Sequence, residues 1–128
     1  MSESQRILIV SDRADFPRAA LERRGLAVTI ATDGEVAFDK LLGVPCDLLA
    51  IDFALAHDGI DFIKRVRATP QLTGILVLVL AEWGTGEPTL ALRAGADAYE
   101  PIEARPFDPS RLVSSIERLL NRQVAAAN

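Results

Sequence analysis

The chain holds a single cysteine, Cys46, so no internal disulfide can staple it. That thiol adjoins an apolar run, where a small buried core residue is expected rather than a reactive group. No apolar stretch approaches the length of a membrane span, and Met1–Arg6 has neither the basic start nor the long apolar core of a secretion signal. The expectation is a soluble cytoplasmic domain. An excess of basic residues is also missing: the formal net charge is −4, which argues against a sequence-independent nucleic-acid surface within this chain. Only one histidine occurs, His57, in a turn-like stretch that suits a solvated loop residue better than a base or metal ligand. Internal repeats, low-complexity tracts and interdomain linkers are absent. What remains is 128 residues, 49% hydrophobic and 25% charged, which suits one domain, residues 1–128, with a core from about 6 to 122.

Short apolar runs alternate with amphipathic segments. Ile7–Val10 is a buried strand with a polar exit at Ser11-Asp12. Asp15 and Pro17 open a helix that Gly25 closes, and Leu26–Ala31 alternates as an edge strand. Asp33-Gly34-Glu35 starts a second helix that Gly43 and Pro45 stop. Asp47-Leu48-Leu49-Ala50-Ile51-Asp52 is too short for a typical helix, and suits a strand covered on both faces. Asp58-Gly59 opens a third helix with Ile63 and Val66 inward and Arg65 and Arg67 outward. Ile75–Leu80 is the most hydrophobic run and reads as a central or next-to-central strand. A short helix near Pro88–Ala94 ends at Gly95, Ala96–Tyr99 is a brief fifth strand, and a loop runs from Pro101 to Phe107. Asp108 and Pro109 begin a last helix with a stripe of Leu112, Val113, Ile116, Leu119 and Leu120, followed by a frayed tail from Gln123.

Five strands alternating with five helices predict an α/β fold: a five-stranded parallel sheet, order 2-1-3-4-5, with helices on both faces, flavodoxin-like. That order makes the first and third strands neighbours at the switch point, so Asp12 and Asp52 emerge side by side at one rim. Each alone is an ordinary capping or turn residue. Two carboxylates in one crevice repel unless a proton or a cation lies between them. Oxygen donors with room for water and phosphate suit Mg²⁺, and a carboxylate beside a metal-held phosphate donor permits phosphoryl transfer.

From about Arg6 to Leu120 the chain resembles the receiver domain of two-component response regulators, including the single-domain chemotaxis regulators. The resemblance is carried by Ile7–Asp12, Asp33-Gly34, Asp47–Asp52, Asp58-Gly59, Arg93–Tyr99 and Arg105-Pro106-Phe107, in that order and spacing. It implies that Asp52 is the phosphoacceptor, that Asp12, Asp52 and the backbone carbonyl of Ala54 hold Mg²⁺, and that Tyr99 is the aromatic that swings inward on activation. It implies a histidine kinase or phosphotransfer protein as donor. The output would be a downstream protein met by the helix 4–strand 5–helix 5 face. The chain itself would not be an enzyme.

Three departures accompany these matches. Ser11 stands where the family has a first acid, which removes a charge from the expected metal site and points to weak Mg²⁺ binding. Leu80 takes the place of the Thr or Ser whose hydroxyl binds the phosphoryl group, and Thr85 lies too far along the next loop to replace it readily. Arg105 replaces the usual Lys as phosphate clamp, three residues further from Tyr99 than in the family, with Glu100–Ala104 read as added loop and the turn after Asp52 one residue short. The Arg105–Pro106 bond would, by resemblance, be cis.

Three functions compete. One is a receiver that takes phosphate on Asp52 from a histidine kinase. The second is a pseudo-receiver, a docking module independent of phosphorylation, which Ser11 and Leu80 favour and for which Trp83 is a possible exposed anchor. The third is a cofactor-binding flavodoxin-like domain. Its weakness is the acidic, proline-bearing Ser11–Pro17 stretch, where a flavin phosphate needs a Ser/Thr/Gly-rich loop, and no Asp-x-His-x-x-Gly cobalamin signature occurs.

Overall fold

In the computed structural model of the chain, residues 5–11, 18–52, 59–82, 88–102 and 109–127 are described. The element order is β1 (Arg6–Val10), α1 (Arg18–Glu22), β2 (Ala27–Ala31), α2 (Gly34–Gly43), β3 (Leu48–Asp52), α3 (Gly59–Ala68), a 3-10 turn (Pro70–Leu72), β4 (Leu76–Glu82), α4 (Pro88–Ala94), β5 (Ala98–Ile102) and α5 (Pro109–Ala127). The five strands form one parallel sheet in the order β2-β1-β3-β4-β5, as the alternating pattern predicts.

Alternation along each strand divides the core in two. Leu8, Val10, Leu49, Ile51, Val77 and Val79 face one side and pack with Ala37, Leu41, Ile63 and Ala91 of α2, α3 and α4. Ile7, Ile9, Leu48, Ala50, Leu78 and Leu80 face the other side, beneath Leu21 of α1 and Leu112, Ile116 and Leu120 of α5. Every residue of β3 is buried, because helices cover it on both faces and strands flank it on both edges. Each such Leu or Ile contributes roughly 1.5–3 kcal/mol by leaving water. This double burial is what lets a polar residue at a strand's last position lie at the rim instead of in the core.

Local signals set the helix ends. Asp33 is the N-cap of α2, accepting from the Val36 N–H at 2.8 Å. Gly25 ends the first helical segment at φ +85°, and Gly95 ends α4 at φ +125°, both in the left-handed region that favours glycine. Phe38 and Phe62 meet edge to face at 6.3 Å, and the Arg65 guanidinium lies 3.8 Å above the Phe38 ring while bonding Glu35 at 3.0 Å.

Several boundaries differ from the expectation. Leu26 lies just outside β2, and β4 continues through Ala81 and Glu82. The fifth strand does not stop at Tyr99: Glu100, Pro101 and Ile102 pair in register with Leu80, Ala81 and Glu82. Proline is tolerated there because β5 is an edge strand. The last helix continues to Ala127, past the expected fraying point at Gln123, since Val124-Ala125-Ala126-Ala127 contains no breaker. Arg67 does not turn outward with Arg65. It folds back over the start of β4, donating to the carbonyls of Gly95 (2.9 Å), Thr73 (3.0 Å) and Ile75 (2.7 Å) and to Asp97 Oδ2 (2.8 Å). Asp97 Oδ2 also accepts from the Val77 N–H at 2.8 Å, so one guanidinium and one carboxylate join α3, β4 and the turn before β5.

Candidate functional site

β1 and β3 are neighbours, and β2 lies beyond β1 while β4 lies beyond β3. The crossover direction therefore reverses between β1 and β3, and the crevice at their carboxyl ends is where such sheets take ligands. Two polar side chains meet there. Ser11 Oγ donates to Asp52 Oδ2 at 3.1 Å. Ser11 is 2% exposed and Asp52 3%, so they are among the few polar residues in an otherwise apolar interior. The Ser11 N–H bonds the Ala31 carbonyl at 3.0 Å, which carries the β1–β2 ladder one residue past β1 and fixes the hydroxyl at the rim. Burying a carboxylate is costly unless it is hydrogen-bonded or paired, and a serine supplies a dipole without adding a charge.

The sequence reading put Asp12 beside Asp52. The residue seen against Asp52 is Ser11, while Asp12 itself lies outside the described residues. So do Ala54, His57, Trp83, Thr85 and the whole Arg105-Pro106-Phe107 segment. Leu80 is directly beside Asp52 in the β3–β4 register and is fully buried with the α5-facing cluster. The apolar residue expected at that position is in place, adjacent to the carboxylate. Tyr99 pairs with Val79 and packs, partly buried, against the cluster on the opposite face of the sheet. Asp52 on β3 and Tyr99 on β5 are thus separated by β4 and face opposite sides of the sheet.

One site residue was misplaced by sequence reasoning. Glu100 reads as an acid in an added loop, whereas it is a strand residue next to Leu80, with 15% of its side chain exposed. Its carboxylate accepts from Ser115 Oγ and from Arg111 Nη2 (2.9 Å), both on α5. The signal was present in the alternation of Ala98, Glu100 and Ile102 with Tyr99, but Pro101 reads as a break. Cys46, at the amino-terminal end of β3 and away from this rim, is half-buried; burial pushes its thiol up to about 11 while the Sγ–H donates to the Leu48 carbonyl at 3.1 Å.

Among the described residues no group of three or more His, Cys, Asp or Glu side chains could hold a metal ion. Asp52 and Ser11 are nevertheless hard oxygen donors of the type Mg²⁺ takes, and Mg²⁺ commonly uses one or two carboxylates with water completing its shell. The donor set fits, with one charge fewer than a pair of acids would give. No described helix is long and apolar enough to cross a membrane.

A five-stranded 2-1-3-4-5 sheet with a buried carboxylate at its switch point defines a doubly wound α/β domain of the receiver type. The chain is 35% identical over 121 residues to the transcriptional regulatory protein CpxR of Escherichia coli K12, covering 91% of this chain and 50% of that protein. It is 32% identical over 128 residues to the alkaline phosphatase synthesis transcriptional regulatory protein PhoP of Bacillus subtilis, covering 97% and 52%. Among solved structures, a CheY-like response regulator receiver domain from Methanospirillum hungatei superposes with a TM-score of 0.80 at 25% identity, covering 96% of this chain and 98% of that one. A putative response regulator from Chloroflexus aurantiacus gives 0.80 at 29% identity, covering 92% and 98%. No protein-family model matches the chain. The chain belongs to the receiver domains of two-component response regulators. It spans about half the length of the relatives it matches.

Proposed function

We propose that this domain accepts a phosphoryl group on Asp52 from the phosphohistidine of a histidine kinase or phosphotransfer protein. The observation that carries the reading is a buried carboxylate at the switch-point rim, to which the neutral Ser11 hydroxyl donates. A carboxylate oxygen of Asp52 attacks phosphorus, the new O–P bond forms as the donor's P–N bond breaks, and the electron pair leaves with the imidazole. The neutral Ser11 orients the nucleophile through Oδ2 and repels the incoming phosphate less than a second acid would. Mg²⁺, when bound, would neutralise charge on the transferring group. Asp52 would hold it with Asp12 and the Ala54 carbonyl, weakly because Ser11 adds no charge. Arg105 would clamp the phosphate. The domain acts as acceptor and switch rather than as an enzyme, and a downstream protein would engage the α4–β5–α5 face.

One observation favours the second reading, a docking module independent of phosphorylation: Leu80, buried beside Asp52, offers no hydroxyl to a phosphoryl oxygen. Intact-mass analysis after incubation with Mg²⁺ and acetyl phosphate separates the two. The acceptor reading expects a metal-dependent gain of one phosphoryl group that Asp52→Asn abolishes. No gain at saturating donor and metal, or from a phosphorylated histidine phosphotransfer domain, favours the docking module.

A further inference from the structure

Four residues form a row across the sheet at its carboxyl rim. Ser11 bonds Asp52, Asp52 pairs in register with Leu80, and Leu80 pairs with Glu100. Residues paired in a parallel sheet project from the same face, so all four look toward the side covered by α1 and α5. Glu100 ends the row, and its two oxygens are taken by two α5 residues one turn apart: the inner Ser115, 7% exposed, and the outer Arg111, about half-exposed. Two strand spacings separate Glu100 from Asp52, about 10 Å. Leu80, fully buried, fills the position between them, so little water screens one carboxylate from the other.

We propose that Glu100 is the element that reports the charge on Asp52 to helix α5. The proposal rests on the acceptor reading above. Converting the Asp52 carboxylate to an acyl phosphate adds about one negative charge at the rim. Leu80 has no polar atom with which to bind the new group, so the change reaches Glu100 as a field and not as a bond. Repulsion along the row drives the Glu100 carboxylate outward. The outward bond to Arg111⁺ is then favoured over the inner bond to neutral Ser115, and α5 loses its inner tie to β5. The signal leaves through β5 and α5 on the Asp52 face of the sheet, whereas Tyr99 packs on the opposite face.

The test is NMR on the whole domain, uniformly ¹³C,¹⁵N-labelled, before and after incubation with Mg²⁺ and acetyl phosphate, with phosphorylation measured in the same sample by intact mass. The expected result is a shift of the Glu100 carboxyl carbon and of the Ser115 amide on phosphorylation. The Ser115 shift is lost in Glu100→Gln, whose amide keeps the shape but carries no charge; its oxygen can still accept from Arg111 while its N–H donates to Ser115 Oγ. A phosphorylated wild-type protein in which Glu100 and Ser115 do not move overturns the relay and leaves the acceptor reading intact. An undiminished Ser115 shift in phosphorylated Glu100→Gln also overturns it. Failure to gain the phosphoryl group both from acetyl phosphate and from a phosphorylated histidine phosphotransfer domain removes the acceptor reading, and the relay with it. The wild-type arm decides the matter even if the variant does not fold.

Discussion

Replacing Ser11 by Asp puts a second carboxylate where a hydroxyl now lies 3.1 Å from Asp52 Oδ2. Both positions are almost completely buried, so neither charge can swing into bulk water without opening the rim. Two unit charges about 4 Å apart repel by about 4 kcal/mol at an effective dielectric of 20. Protonating one carboxyl limits the penalty: from a usual value near 3.9, this costs about 4 kcal/mol at pH 7 and about 1.5 kcal/mol at pH 5. With partial relaxation, a destabilisation of roughly 2–4 kcal/mol at pH 7 is expected without metal. At about 4 °C per kcal/mol for a domain of this size, Tm falls by roughly 8–16 °C. The sign with pH follows: a carboxyl kept from ionising imposes its penalty at high pH, so the gap to wild type narrows as pH falls toward 5. Mg²⁺ should reverse the loss. At 100 times its Kd a bound ion returns about 2.7 kcal/mol, and the variant's two acids should bind it more tightly than the wild-type pair does. The assay is thermal unfolding with and without Mg²⁺ at pH 7 and pH 5. An equal Tm loss with and without Mg²⁺, or no loss at all, refutes the geometry assigned to this rim.

Three further outcomes follow from the structure. Gly95→Ala forces φ +125° on an L residue and sets a Cβ 2.6 Å from Arg67 Cγ, so urea denaturation should show a loss of roughly 2–4 kcal/mol; a loss below half a kcal/mol contradicts that close approach. Arg67→Ala removes the guanidinium donor from the Gly95 and Ile75 carbonyls and from Asp97, which keeps its bond from the Val77 N–H, and should lower stability by roughly 2–3 kcal/mol, with Arg67→Lys intermediate; Lys matching Arg would show that the branched donor is unimportant. With its thiol pushed up to about 11, Cys46 should react with iodoacetamide far more slowly at pH 8 than a free cysteine, and faster as pH rises toward that value. A rate at pH 8 equal to that of glutathione would contradict its burial.

Hydrophobic periodicity carried most of the architecture. The continuous apolar runs Ile7–Val10, Leu48–Ile51 and Ile75–Leu80 suit strands covered on both faces, and the doubly wound order followed from their alternation with helices. Asp52 was visible for the same reason, as the polar end of the most buried strand. Partner choice by long side chains was not visible. A helical wheel turns Arg67 outward, yet its stem lets the guanidinium fold back onto carbonyls that no periodicity marks. Glu100 was assigned to a loop because Pro101 reads as a break, and only strand pairing shows that β5 is an edge that tolerates it. Ser11 could be recognised as a missing charge, but its bond to Asp52 required the β1–β3 neighbourhood in space.

The claim at the centre of this account is that the Asp52 carboxylate itself becomes the acyl phosphate. Borohydride reduces an acyl phosphate to an alcohol, leaving a homoserine where the modified aspartate stood. The protein would be treated with Mg²⁺ and acetyl phosphate, reduced, digested and sequenced by tandem mass spectrometry. The account predicts homoserine at position 52 and at no other acid. Homoserine at Asp12 or elsewhere, with Asp52 unchanged, would contradict it.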